Sequence, residues 1–105
     1  MLSNFPFVSG ANVTVYPESH ELLIAGKSVH CTPALFRLLT VLLKNYCATV
    51  SYNSLLDVGD RPLLAREQNL LKVQISYLRR LLKNSRAQLE IKNVYDTGYQ
   101  ARPRR

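Results

Sequence analysis

Between Arg66 and Asn84 the apolar residues Leu71, Ile75, Leu78 and Leu82 recur at helical spacing, and no other stretch constrains the fold as tightly. On a helical wheel the four fall within about 60° of arc, so a helix over 66–84 must turn that stripe to a core. The opposite side carries Asn69, Lys72, Val73, Ser76, Tyr77, Arg80 and Lys83, with no acid among them. The chain therefore has to form a helix with one buried face and one cationic, hydrogen-bonding face.

Other elements follow from local chemistry. Thr32 before Pro33 supplies an N-cap and a first helical residue that needs no N–H. Leu35, Leu38, Leu39, Leu42 and Leu43 continue at helical spacing, which predicts a first helix over Pro33–Tyr46. Ser51 is a second N-cap, and Leu55 and Leu56 give a short second helix ending near Gly59. Asp60–Ala65 contains a proline and has no period, so it reads as a loop.

Upstream, Val13–Tyr16, Glu21–Ile24 and Ser28–Cys31 are strand-like and are divided by turns at Pro17–His20 and Ala25–Lys27. They predict a small antiparallel meander within residues 1–31. Downstream, Leu89–Val94, the turn Tyr95–Gly98 and the return Tyr99–Ala101 predict a β-hairpin over 89–102. The expected class is α+β, a winged helix-turn-helix: an N-terminal meander, a three-helix core over 33–84 and a C-terminal hairpin as the wing. At 105 residues the chain fits one domain.

Charge narrows the partners. Residues 1–60 hold three bases against four acids, net −1, whereas residues 61–105 hold eleven against three, net +8. A basic half of this kind favours a polyanion such as nucleic acid. The longest nearly apolar run, Leu38–Leu43, is far shorter than the roughly 20 residues of a membrane span. The first ten residues lack the basic start and apolar stretch of a signal peptide. Cys31 and Cys47 show neither a C-x-x-C pair nor a disulfide framework, so reduced thiols and a cytoplasmic setting are expected.

His20 and His30 do not stand at metal spacing with either cysteine, and no nucleophile elbow or phosphate-binding glycine loop occurs. Neither an enzyme nor a bound metal, cofactor or small-molecule substrate is expected.

The chemistry of the non-core face suits double-stranded DNA. Lysine, arginine, asparagine and serine hydrogen-bond base edges, and Val73 matches a thymine methyl. The expected base-contacting set is Asn69, Lys72, Val73, Ser76, Tyr77 and Arg80, with phosphate contacts from Arg79, Lys83, Asn93 and Thr97. Tyr77, Tyr95 and Tyr99 also invite a single-strand stacking interpretation. No sheet platform is predicted to present them, and Tyr99 is expected to pack beneath the wing. The competing reading is a protein-interaction module that keeps the winged fold with little DNA contact.

The segments Thr32–Leu39, Val50–Leu56, Val73–Leu82 and Gly98–Tyr99, in this order of elements, resemble the OmpR/PhoB-type winged-helix effector domains over about residues 7–102. The likeness is strongest in the apolar frame and at Leu78-Arg79. It implies binding to direct repeats, with a second copy in tandem, and a loop that touches RNA polymerase, here Asp60, Arg61, Leu63 and Leu64. It further implies a wing in the minor groove, where Tyr95 stands in place of the family's arginine and is followed by the acid Asp96. Arg102, Arg104 and Arg105 are the candidates to take over that role. The tryptophan usual at the end of the second helix is replaced by Asp57-Val58-Gly59-Asp60. With Met1 at its start and no receiver before it, the expected arrangement is similar to ToxR/CadC-type regulators, whose N-terminal DNA-binding domain precedes a membrane segment, or to a stand-alone regulator.

Overall fold

Alternation of apolar and polar residues drives the first layer. β1 (Val8–Gly10), β2 (Val13–Tyr16), β3 (Glu21–Ile24) and β4 (Lys27–Ser28) form an antiparallel sheet in sequence order. Val13 lies opposite Ile24 and Val15 opposite Leu22, and this period of two buries all four on one face. The computed structural model describes residues 7–104; Arg105 lies outside them. β1 was not distinguished in the sequence, and the third expected run is shorter: β4 covers Lys27–Ser28 in place of Ser28–Cys31.

α1 (Pro33–Lys44) starts as its cap dictates, with Thr32 Oγ1 accepting from the Leu35 N–H at 3.3 Å. It stops two residues before the expected Tyr46, because the N–H groups of Asn45 and Tyr46 turn back to the carbonyls of Leu42 and Leu43. Leu38, Leu39, Leu42 and Leu43 enter the core. α2 (Tyr52–Leu56) is capped by Ser51, whose Oγ accepts from the Ser54 N–H at 3.1 Å. It ends at Leu56, earlier than Gly59, since Asp57 adopts a left-handed conformation at φ 57°. The Arg37 guanidinium donates to the Leu55 carbonyl and ties α1 to α2.

α3 (Ala65–Asn84) buries Leu71, Ile75, Leu78 and Leu82, the stripe the sequence marked. β6 (Leu89–Val94) and β7 (Gly98–Pro103) form the hairpin, and β5 (Thr49–Ser51), a strand the sequence reading did not contain, pairs with β7. The second sheet thus runs β5-β7-β6. Gly98 is required where β5 crosses, because a Cβ there would stand 1.9 Å from the Val50 carbonyl oxygen.

The two sheets are joined away from the helices. Asn12, in the β1–β2 turn, accepts from the Gln88 N–H at 2.7 Å and donates to the Arg86 carbonyl at 3.2 Å. One side chain therefore fixes the turn after α3 to the N-terminal sheet.

Candidate nucleic-acid interface

The first turn of α3 is held by a device absent from the cap residue itself. Leu64 has no polar side chain, so Glu67 reaches back and accepts from its N–H at 2.9 Å. Arg61 grips the same carboxylate through two hydrogen bonds of 2.8 and 2.6 Å. Those hydrogen bonds, from Arg61 first and the Leu64 backbone second, lower the Glu67 carboxyl to a pKa of about 2. The preceding loop is tied to α2 as well: Asn53 Nδ2 donates to the carbonyls of Gly59 and Arg61, both at 2.6 Å. Of the four loop residues assigned to polymerase contact, Asp60 and Leu64 stand exposed, Leu63 is half-buried, and Arg61 is occupied by Glu67.

Beyond this start α3 presents its free face over several turns. Asn69, Lys72, Ser76, Arg80 and Lys83 are exposed, as are the apolar Val73 and Tyr77. All six residues assigned to base edges are therefore brought to one open side of one rigid element. Leu70 belongs to that side too, at 50% exposure, and the sequence reading left it out. Its wheel position beside Tyr77 and Val73 was the available signal.

Arg79, expected at phosphate, is exposed and lies along the hairpin. Its Nε and Nη2 donate to the Ile91 carbonyl at 3.0 and 2.7 Å, and its guanidinium carbon lies 5.7 Å from the centre of the Tyr99 ring. Tyr99 is buried and meets Tyr52 edge-on at 5.7 Å. The wing is thus clamped to the middle of α3 by a charged side chain over an aromatic floor.

Hairpin register decides which wing residues are near its tip. Val94 pairs with Gly98, so Tyr95, Asp96 and Thr97 form the turn, and Tyr95 is 89% exposed. Thr97 is braced by its hydroxyl donating to the Tyr95 carbonyl at 3.1 Å and by its N–H donating to the Val94 carbonyl at 3.0 Å. Arg102 pairs with Glu90 and Pro103 with Leu89, at the far end of the hairpin. There Arg102 Nε donates to Glu90 Oε2 at 2.6 Å, which keeps the Glu90 carboxyl below its usual range. Arg102 and Arg104 therefore sit at the base of the wing, four and six residues beyond Gly98 where the turn closes, or roughly 13 and 20 Å. Asn93 is exposed and donates weakly to the Tyr52 hydroxyl at 3.4 Å.

Two depressions flank the exposed face. Between the wing and the first half of α3 lies a groove of about 360 Å³ edged by Gln68, Lys72, Asn93 and Tyr95. On the other side a cleft of about 710 Å³ opens between α1 and the second half of α3, with His20, Phe36, Tyr77 and Arg80 among its walls. Cys31 and Cys47 are both free thiols, and burial raises the pKa of Cys31.

A long helix held with an acid-free cationic face outward, braced by two shorter helices and flanked by a β-hairpin, defines the winged helix-turn-helix class. Residues 26–101 match the model of the family described as transcriptional regulatory protein, C terminal. The chain belongs to that family, the OmpR/PhoB-type DNA-binding domains of transcription regulators.

Solved structures agree in fold. The RstA DNA-binding domain of Klebsiella pneumoniae, in complex with the RstA box, is 24% identical with a TM-score of 0.76, over 94% of this chain and 99% of that one. The DNA-binding domain of CpxR from E. coli is 23% identical with a TM-score of 0.76, over 96% and 100%. That of E. coli CadC is 24% identical with a TM-score of 0.70, over 93% and 92%. No curated protein sequence matches.

Proposed function

We propose that this domain reads double-stranded DNA by laying α3 in the major groove, with Asn69, Lys72, Val73, Ser76, Tyr77 and Arg80 at the base edges. The observation that carries this reading is the continuous exposed face of α3, cationic and free of acids, beside a hairpin fixed to the same helix. The groove admits one α-helix, and lysine and arginine recognise the acceptor atoms of guanine. Lys83 contributes a phosphate contact from the flank of α3, and Asn93 and Thr97 contribute others from the wing. That the RstA relative is a complex with its box supports the same use of the fold here.

The wing follows the minor groove with Tyr95 at its tip, an aromatic wedge in place of a cation. Exposed Asp60 and Leu64 are the residues that meet RNA polymerase, with Arg61 and Leu63 holding the loop in shape. Two copies bind in tandem on direct repeats, and the domain works in the cytoplasm, where the DNA is. No helix among the described residues is long and apolar enough to cross a membrane.

Fluorescence titration of a duplex obtained by selection from a random pool tests the reading face. Lys72→Ala and Arg80→Ala should each weaken binding by about 1–3 kcal/mol and leave the melting temperature unchanged. Unaltered affinity in both variants would remove α3 from the role given to it.

A further inference from the structure

Three large apolar side chains of α3 face solvent: Leu70 at 50%, Val73 at 48% and Tyr77 at 53% exposure. Steps of three and four residues place them on one side of the helix. From first to last the rise is about 10.5 Å, close to three base steps of roughly 3.4 Å. Arg80 borders the strip, Lys72 stands further round the same face, and from Asn69 to Asn84 the helix holds no acid. A partner that covers this side must therefore present apolar groups within a strongly anionic surface.

In the major groove of a duplex, one base offers an apolar group, the C5-methyl of thymine, and it does so beside phosphate charge. We propose that Leu70, Val73 and Tyr77 form a thymine-methyl reader, so that the sites chosen by this chain contain a cluster of thymines within about three successive base pairs. The inference rests on α3 being the major-groove helix and adds what that helix prefers to read. Val73 sits between the other two, near the middle of the exposed face, and serves as the central contact. Lys72, Ser76 and Arg80, on the adjoining part of the face, then fix neighbouring bases.

Deoxyuridine differs from thymidine by the missing methyl alone, so replacing one with the other isolates the contact. Duplexes selected by the protein from a random pool should carry the thymine cluster. Uracil at one contacted position should weaken binding about fourfold, the worth of burying one methyl-sized group. Replacement at all of them should cost more than tenfold. Val73→Ala should lose the distinction between thymine and uracil at one position while melting like the parent protein, and Leu70→Ala should do so at another. Selected duplexes bound equally well with uracil throughout would overturn the methyl reader and leave major-groove reading intact. A uracil penalty that persists unchanged in Leu70→Ala, Val73→Ala and Tyr77→Ala would overturn it also, since DNA shape would then be its source. Failure to bind any duplex would overturn both this inference and the reading beneath it.

Discussion

Arg79 and Arg80 are neighbours in sequence and do opposite things. The hydrophobic pattern of α3 tells which direction each Cα–Cβ bond points, about 100° apart around the helix. It does not tell where a long flexible side chain ends, because that depends on what folds back beside it. The hairpin brings the Ile91 carbonyl within 3.0 Å of the Arg79 guanidinium, so Arg79 makes contacts within the fold although both arginines are exposed. Arg79→Ala should accordingly lower the melting temperature, with a loss of about 1–2 kcal/mol for a charged hydrogen bond at a partly covered site. Arg80→Ala should not. Leu78, fully buried, gives the larger response: Leu78→Ala should cost about 2–5 kcal/mol in denaturant unfolding through the cavity it leaves. The core stripe was legible for a simple reason. Burial of Leu71, Ile75, Leu78 and Leu82 depends only on helical period, whereas the fates of Arg79 and Arg102 depend on neighbours distant in sequence.

The same division between local and distant causes explains which elements were readable. Helices with side-chain caps were located from Thr32-Pro33 and Ser51, because a cap acts within three residues. β5 was missed because three residues are too short for their alternation to be diagnostic, and its existence depends on pairing Thr49 with Gln100 and Val50 with Tyr99 far along the chain. The start of α3 was placed at Arg66 without its stabilising feature, since Leu64 has no capping group and the substitute is the Arg61–Glu67 pair. That pair makes the element sensitive to acid. Glu67 has a folded pKa of about 2 against an ordinary 4.5. Its stabilising contribution is therefore complete above about pH 4.5 and lost as pH falls towards 2. Amide exchange at Leu64 and Glu67 should accelerate, relative to the middle of α3, across that window. Glu67→Gln should show the faster exchange already at neutral pH and little further change on acidification. Equal protection of these amides at pH 5 and pH 2 in the parent protein would mean that the carboxylate does not hold the helix start.

Over the whole molecule the charge is polarised: net −1 over residues 1–60 and net +8 over residues 61–105, the latter half comprising α3 and the wing. Such a distribution orients the molecule towards a polyanion before any contact forms. It also separates duplex DNA from a protein as the partner of the basic half. A domain that neutralises about five phosphates releases counterions, so the logarithm of its binding constant should fall with the logarithm of salt at a slope of about −4.5. Affinity would then drop roughly 500-fold between 50 and 200 mM salt. Removing one phosphate contact, as in Lys83→Ala, should make the slope shallower by about 0.9 whatever the base sequence. Val73→Ala, by contrast, should change affinity for the selected site and leave the slope alone, because a methyl contact displaces no counterion. A flat salt response would put an apolar or weakly charged protein surface, not DNA, against α3. The two kinds of variant thus assign charge to the strength of binding and the apolar strip to the choice of site, on one helix whose opposite stripe closes the core.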